Sequence, residues 1–185
     1  MRSRTRVLIV VTAVALFGAL SATALAVSPH FKKGGEPTCA IDFTSPPSAS
    51  TTCTQSLAGL GNFDLVATLS TSGTAVYQCQ NKGENVAPGQ NRVLIGPSSS
   101  QTSIPADAIK NGNLTFTTNP SVLTAPATVS AAVAGCANPN WTGVNPVLTV
   151  TNISLTIEQP PGNVIFSCSA NDTWTQDTTG ILLSC

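Results

Sequence analysis

Residues able to do chemistry are few in this chain, and they are widely spaced. The single histidine is His30. A Ser-His-Asp hydrolase needs an imidazole placed to take the proton of its nucleophile, whereas His30 lies in VSPHFKKGGEPT (27–38), a stretch without periodicity, and reads as a solvated residue near a terminus. The chain carries no GxSxG elbow, HExxH helix, glycine-rich phosphate loop or Cys-His pairing. Asp64, Asp107, Glu158, Asp172 and Asp177 are the carboxylates that could be paired for glycoside hydrolysis. Asp64, however, falls on the polar side of an alternating run, and Glu158 adjoins a tight turn, where solvated carboxylates are routine. Asp172 and Asp177, with Asn171 and Gln176 nearby, offer oxygen ligands of the kind Ca²⁺ takes, but lack the regular alternation of a calcium loop and read as a polar hairpin loop. The expectation is a protein that is not an enzyme and has no cofactor and no metal.

The six cysteines need a compartment before they can be interpreted. Arg2, Arg4 and Arg6 form a basic n-region, Val7 to Leu20 is apolar apart from Thr12 and Gly18, and Ala24-Leu25-Ala26 is a small-x-small cleavage site. This reads as a secretory signal over 1–26. A retained anchor is the competing reading, since about 20 apolar residues can span a bilayer; against it stand the Ala-x-Ala site and the polar residues that follow at once. An even number of cysteines in an exported chain implies disulfides, and the shortest spacing between any two, 14 residues, is far from a metal-binding Cys-x-x-Cys. Six cysteines allow many connectivities, and sequence does not choose among them. The expected set is Cys39–Cys53 and Cys168–Cys185 closing local loops, with Cys79–Cys136 crossing the domain. The chain has eight basic and eight acidic residues, but the signal takes three of the basic ones, leaving five against eight, a net of −3. The remaining cations, Lys32, Lys33, Lys82, Arg92 and Lys110, are scattered. Phosphate neutralisation needs clustered cations, so nucleic acid is excluded as a partner.

Trp141 and Trp174 are the only tryptophans, and both sit in polar, loop-like surroundings, NPNWTG and NDTWTQ. An exposed indole can stack on a sugar or anchor a protein partner; the plainer reading is that each covers an open end of the fold. If the two share a binding site, with Asn138, Asn140, Asn171 and Gln176 supplying hydrogen bonds, both must be exposed at one end of the domain, within about 15 Å of each other. Asn113, Asn140, Asn152 and Asn171 each begin an Asn-x-Ser/Thr triplet, which arises by chance in a chain this rich in Asn and Thr.

The elements that must position these residues are strands. Phe63, Leu65, Ala67 and Leu69 share one face of an alternating run, and Ala75, Tyr77 and Cys79 share one face of the next. Ser72-Gly73 between them reads as the turn of a hairpin. Pro88-Gly89, Asn111-Gly112 and Pro160-Pro161-Gly162-Asn163 are further turn signals. Arg92–Ile95, Leu114–Thr117, Ser121–Leu123 and Thr128–Val133 read as strands, and IPADAIK (104–110) as one helical turn. Leu148 and Val150 are in one phase and Ile153, Leu155 and Ile157 in the other, which predicts a β-bulge or a crossing between sheets at Thr151-Asn152. No helical periodicity occurs outside the signal. The fold expected is all-β, an antiparallel immunoglobulin-like sandwich of about seven to nine strands. The domains expected are a signal peptide at 1–26, a tether and loop at 27–52, and the sandwich at 53–185.

Four segments, 57–91, IPADAIKNGNLTF (104–116), CANPNW (136–141) and TIEQPPGNVIFSC (156–168), resemble small exported proteins of actinomycete-type bacteria. The resemblance implies bacterial export and a β-sandwich, and it implies no activity. The expected function is a secreted, extracellular, non-catalytic protein that binds a protein or glycan or associates with a surface, with no membrane contact after signal cleavage. The alternatives are a carbohydrate-binding module using the two tryptophans, and a hydrolase inhibitor presenting 81–91 as a stiff loop.

Overall fold

Alternation of apolar and polar residues governs this chain, because successive side chains of a strand point to opposite faces. The computed structural model describes residues 28–43 and 45–185; the signal read at 1–26 lies outside the described residues. The elements are β1 (His30–Phe31), β2 (Thr38–Asp42), β3 (Ser48–Ala58), β4 (Leu65–Gln80), β5 (Val86–Ile104), β6 (Leu114–Thr117), β7 (Ser121–Thr124), β8 (Val129–Ser130), α1 (Ala131–Ala134), β9 (Thr142–Glu158), β10 (Val164–Trp174) and β11 (Thr178–Leu182). They form two antiparallel sheets. In the first, β1 and β2 lie along one side of β3, β11 lies outside β2, and β6 and β7 follow one another along the other side of β3. The second has the order β10-β9-β4-β5, with β8 also beside β9.

Between the sheets lie Ile41 and Leu57 from the first, Leu65 and Leu69 from β4, and Ile153, Leu155 and Ile157 from β9, all nearly inaccessible to solvent. Burial of each such side chain contributes about 1.5–3 kcal/mol. The outer faces are tiled with hydroxyls. Thr54 pairs with Thr117, Ser56 with Thr115 and Ser48 with Thr124 across the first sheet, each at 2.8 Å. Both open sides of the sandwich are stitched. On one side Ser121 Oγ donates to Ser98 O, and Asn119 Nδ2 donates to Gln101 O. On the other, Ser169 and Ser184 form a bridge beside the Cys168–Cys185 disulfide.

All three expected disulfides are present: Cys39–Cys53, Cys79–Cys136 and Cys168–Cys185. Cys39 and Cys53 are direct cross-strand partners of β2 and β3. Of the two alternatives expected at Thr151-Asn152, a bulge or a crossing between sheets, the bulge occurs. Ser72 faces Asn152 and Gly73 faces Val150, so Thr151 is the extra residue that resets the phase of β9.

Several expectations fail for identifiable reasons. Ser72-Gly73 is no turn, since β4 runs through it for 16 residues. A Cβ on Gly73 would lie 2.0 Å from Thr149 O, so glycine is needed there for close approach of β9 rather than for a bend. Pro88-Gly89 lies inside β5, an edge strand, where a missing N–H is tolerated. The true turn of that hairpin is Asn81–Asn85, held by Asn81 Oδ1 accepting from the Gly83 and Asn85 amides. Residues 81–91 are therefore a tight turn and a strand rather than one long loop. Phe63 precedes β4 and is 56% exposed, off the inner face assigned to it. The segment read as a tether is edge structure: β1 pairs with Leu57 and Ala58, and Phe31 stacks on Phe166 at 4.3 Å. Since β2 and the first five residues of β3 fall between 27 and 52, the domain begins well before 53. The run 128–133 is only briefly extended before α1 starts at its Ser130 cap. Eleven strands occur among the described residues, more than the seven to nine expected, because the long connections add short edge pieces.

Candidate functional site

The second sheet outruns the first. The first sheet stops near Pro47, whose carbonyl accepts from the Ala125 amide, and from there the segment 125–141 replaces it as the cover. Tyr77 Oη donates to Pro126 O at 3.0 Å, and burial pushes the pKa of this hydroxyl above its usual value. A Cβ on Gly143 would meet Ala134 Cβ at 2.7 Å, and one on Gly89 would meet Ala134 O at 2.7 Å, so both glycines let α1 lie flat against the sheet. Cys79–Cys136 fastens this strap to β4, and Asn91 Nδ2 donates to the carbonyls of Ala132 and Val133. The result is a finger built from the far ends of β4, β5 and β9 with a covalently pinned strap on its inner side.

The outer side of the finger gathers exposed apolar side chains. Strand register sets Arg92, Val76 and Val147 in one row, Leu94, Thr74 and Thr149 in the next, and Pro88, Gln78 and Val144 on the other side. Leu94 is 84% exposed and Val147 64%, and Val76 and Val86 are exposed as well. Four of the nine large apolar side chains that are exposed among the described residues thus lie on one side of one finger. Rows nearer the body carry Thr68 with Gln101 and Thr156, then Ser70 with Ser99 and Ser154. A contiguous apolar patch of this kind marks an interaction surface, whereas isolated exposed apolar residues do not.

The tryptophans do not form a shared site. Trp174 is only 8% exposed and packs against the core from β10. It faces Val150, and Trp141 lies nine residues away along β9, roughly 30 Å at strand spacing. The common platform expected from NPNWTG and NDTWTQ is therefore absent. Trp174 keeps the strand phase of buried Cys168 along β10 and so points inward, which local polarity did not reveal. Trp141 is half-buried beside an open cleft of about 630 Å³ lined by Cys79, Ala87, Pro88, Gln90 and Asn91. The polar residues assigned to the shared site hold local structure. Asn138 Oδ1 accepts from the Asn140 amide, Asn171 Oδ1 accepts from Asn152 Nδ2, and Gln176 O accepts from Thr178 Oγ1.

Four of the five candidate carboxylates are likewise engaged with backbone, while Asp107 is exposed and only its carbonyl oxygen accepts, from Lys110 Nζ. Asp64 Oδ1 accepts from the Ala106 amide, Glu158 Oε2 from Gly162, Asp172 Oδ1 from Thr173 and Asp177 Oδ1 from Phe43. Among the described residues no three His, Cys, Asp or Glu side chains converge in a way that could hold a metal ion. His30 Nδ1 lies 2.8 Å from Ser28 O at the exposed edge. No helix among the described residues is long and apolar enough to cross a membrane. The chain matches no protein-family model, and no curated protein and no solved structure is similar to it.

Sequence reading passed over the finger's outer face. The signal was there in Val76 and Val147, apolar residues on the polar phase of their strands, but a single off-phase valine is ordinary. Only the register of three strands shows that they and Leu94 are neighbours.

Proposed function

We propose that this is an exported, non-catalytic binding protein of immunoglobulin-like build, which meets a protein partner through the outer face of the finger. The immunoglobulin-like reading is supported by strand order. β2, β3 and the successive β6 and β7 follow the A-B-E order of that fold, and β10-β9-β4-β5 follows G-F-C-C′. It lacks the hallmark inter-sheet disulfide, since Cys53 of β3 bonds to neighbouring β2, and its buried Trp174 stands on β10 rather than β4. Export is supported by the signal pattern at 1–26, by the resemblance to exported bacterial proteins, and by three disulfides with no free cysteine among the described residues, which suit an oxidising compartment. The non-catalytic reading is supported by the commitment of four of the five candidate carboxylates, Asp64, Glu158, Asp172 and Asp177, to backbone amides and by the lone, peripheral histidine.

The observation that carries the binding role is the apolar patch of Leu94, Val147 and Val76, next to rows of the same sheet that carry Thr68, Ser70, Ser99, Ser154 and Thr156. A photo-crosslinking residue placed at Leu94 in the exported protein, with Ser70 as the control position, tests it. Covalent adducts are expected from position 94 and not from position 70. Equal yields, or none at either position, overturn the proposal. Edman sequencing of the exported chain should begin at Val27, and a start at Met1 would refute signal cleavage.

A further inference from the structure

We propose that the cleft inside the β10–β11 hairpin binds a neutral hexose, either free or as the end residue of a glycan. The site lies on the open side of the sandwich away from β5 and owes nothing to the finger's outer face. β10 stays with β9 in the second sheet while β11 crosses to β2 of the first, so the hairpin straddles both sheets. The two strands join where Ser169 and Ser184 exchange backbone hydrogen bonds of 2.8 and 2.9 Å. Residues 175–177 close one end of the opening, and that bridge with the Cys168–Cys185 disulfide closes the other. Between them lies a cleft of about 620 Å³, a size ordinary for small-molecule sites. An extended peptide has no way through a ring closed at both ends, so the occupant is compact.

The walls set its chemistry. Backbone groups two residues apart on a strand point the same way. Beyond the Ser169–Ser184 pair, therefore, the N–H and C=O of Asn171 and of Leu182 face the cleft, and no bond joins them. Asp172 keeps the inner phase of buried Cys168 and Trp174 and lines the cleft. Its Oδ1 accepts from the Thr173 amide, and its second oxygen accepts from nothing among the described residues. Trp174 and Ile181 add a small apolar floor. No basic residue lines the cleft, so an anion would meet Asp172 without compensation. Two amide donors, two carbonyl acceptors and a carboxylate are satisfied together by groups that both donate and accept, as hydroxyls do. A compact ring with several hydroxyls and an apolar C–H face for the floor is a hexopyranose. It replaces the solvent bonds of these groups instead of leaving them unmade. A ligand of about a dozen non-hydrogen atoms binds with a Kd on the order of 1 mM.

Amide NMR of the isotope-labelled chain lacking residues 1–26, oxidised and folded, tests this by titration with the methyl glycosides of glucose, galactose and mannose. At least one sugar should shift the Asn171 and Leu182 amides and the Trp174 indole N–H saturably, and leave the Trp141 indole unmoved. Asp172→Ala should weaken that sugar at least about tenfold, the loss of bonds to a charged acceptor. Asp172→Asn keeps an acceptor for the Thr173 amide, so it should fold as wild type does and show a smaller loss in the same direction. Retardation on a gel of a branched polysaccharide ending in the bound hexose identifies a glycan end as the source, and binding without retardation the free sugar. No response to any of the three sugars overturns the proposal, as does a response confined to Trp141 or one that both Asp172 variants leave unchanged. Methylammonium shifting these amides where the sugars do not would also overturn it, by making the cleft a cation site.

Discussion

The body and the finger of this molecule use the same three strands under different covers. In the body, the first half of β4 and the second half of β9 lie under another sheet, and their inner faces carry Leu65, Leu69, Ile153, Leu155 and Ile157. In the finger the same strands lie under a strap of irregular chain. The inner side chains of β4 there shrink to Gly73, Ala75 and Cys79, with Tyr77 the one large group on that strand. Little apolar burial is available to a layer that thin, so a disulfide and a series of polar anchors hold it. The outer faces differ the other way round, hydroxyls over the body and aliphatics over the finger. The part with the weaker core thus carries the more adhesive surface, and rigidity that burial cannot supply there comes from a covalent bond.

That contrast breaks most severely at Cys79–Cys136. The bond spans 57 residues, and in the chain-entropy account its loss costs about 4 kcal/mol, against about 3 for each of the two local bridges. In a Cys79→Ala/Cys136→Ala chain, hydrogen exchange should rise across 76–92 and 125–144 while the inner strands of the body stay protected. Uniform loss of protection would mean that finger and body are one cooperative unit. Gly73→Ala strikes the junction, where the new Cβ meets Thr149 O, and a cost of about 3 kcal/mol is expected in urea unfolding. A midpoint unchanged from wild type would show that β9 can move away.

Smaller changes sharpen the comparison. Gln55 is 1% exposed in the body core, and neither of its amide atoms has a partner among the described residues. Gln55→Leu should therefore raise stability by about 2 kcal/mol, by removing buried polar atoms that lack bonds. Destabilisation would mean that the amide is satisfied by bound water. Tyr77→Phe in the finger removes the bond to Pro126 O and should cost about 1 kcal/mol at neutral pH. Because burial raises the Tyr77 pKa in the folded state, the stability linked to its protonated form is complete below the unfolded value of about 10 and is lost as pH climbs past it. Wild type should weaken in that alkaline range and Tyr77→Phe should weaken less; parallel pH profiles would refute the assignment. Leu94→Asp, at an 84% exposed site, should shift stability by less than about 0.5 kcal/mol while removing partner binding. A large loss of stability would place Leu94 in the fold rather than on a binding face.

Much of the body was legible along the chain and little of the finger was. Alternation from Leu65 to Leu69 and from Ile153 to Ile157 assigned inner faces correctly, since both strands are half-buried with period two. Asn111-Gly112 turns the chain as expected, with positive φ at both residues. Gly73 and Gly89 misled because a glycine in a sequence signals either a bend or a close approach, and here both are close approaches. Trp174 misled because its polar neighbours describe the bulge beside it rather than the space its indole fills.

By itself the sequence determined the all-β character, the faces of the long strands, the change of phase at Thr151-Asn152 and the even set of cysteines, all of which follow from residue types and their spacing along the chain. Tertiary structure alone decided that His30–Phe31 is an edge strand, that a strap covers the finger, that Trp174 is buried, and that Leu94, Val76 and Val147 meet. Those facts depend on which strands become neighbours and in what register, and a one-residue slip would send each of these side chains to the opposite face.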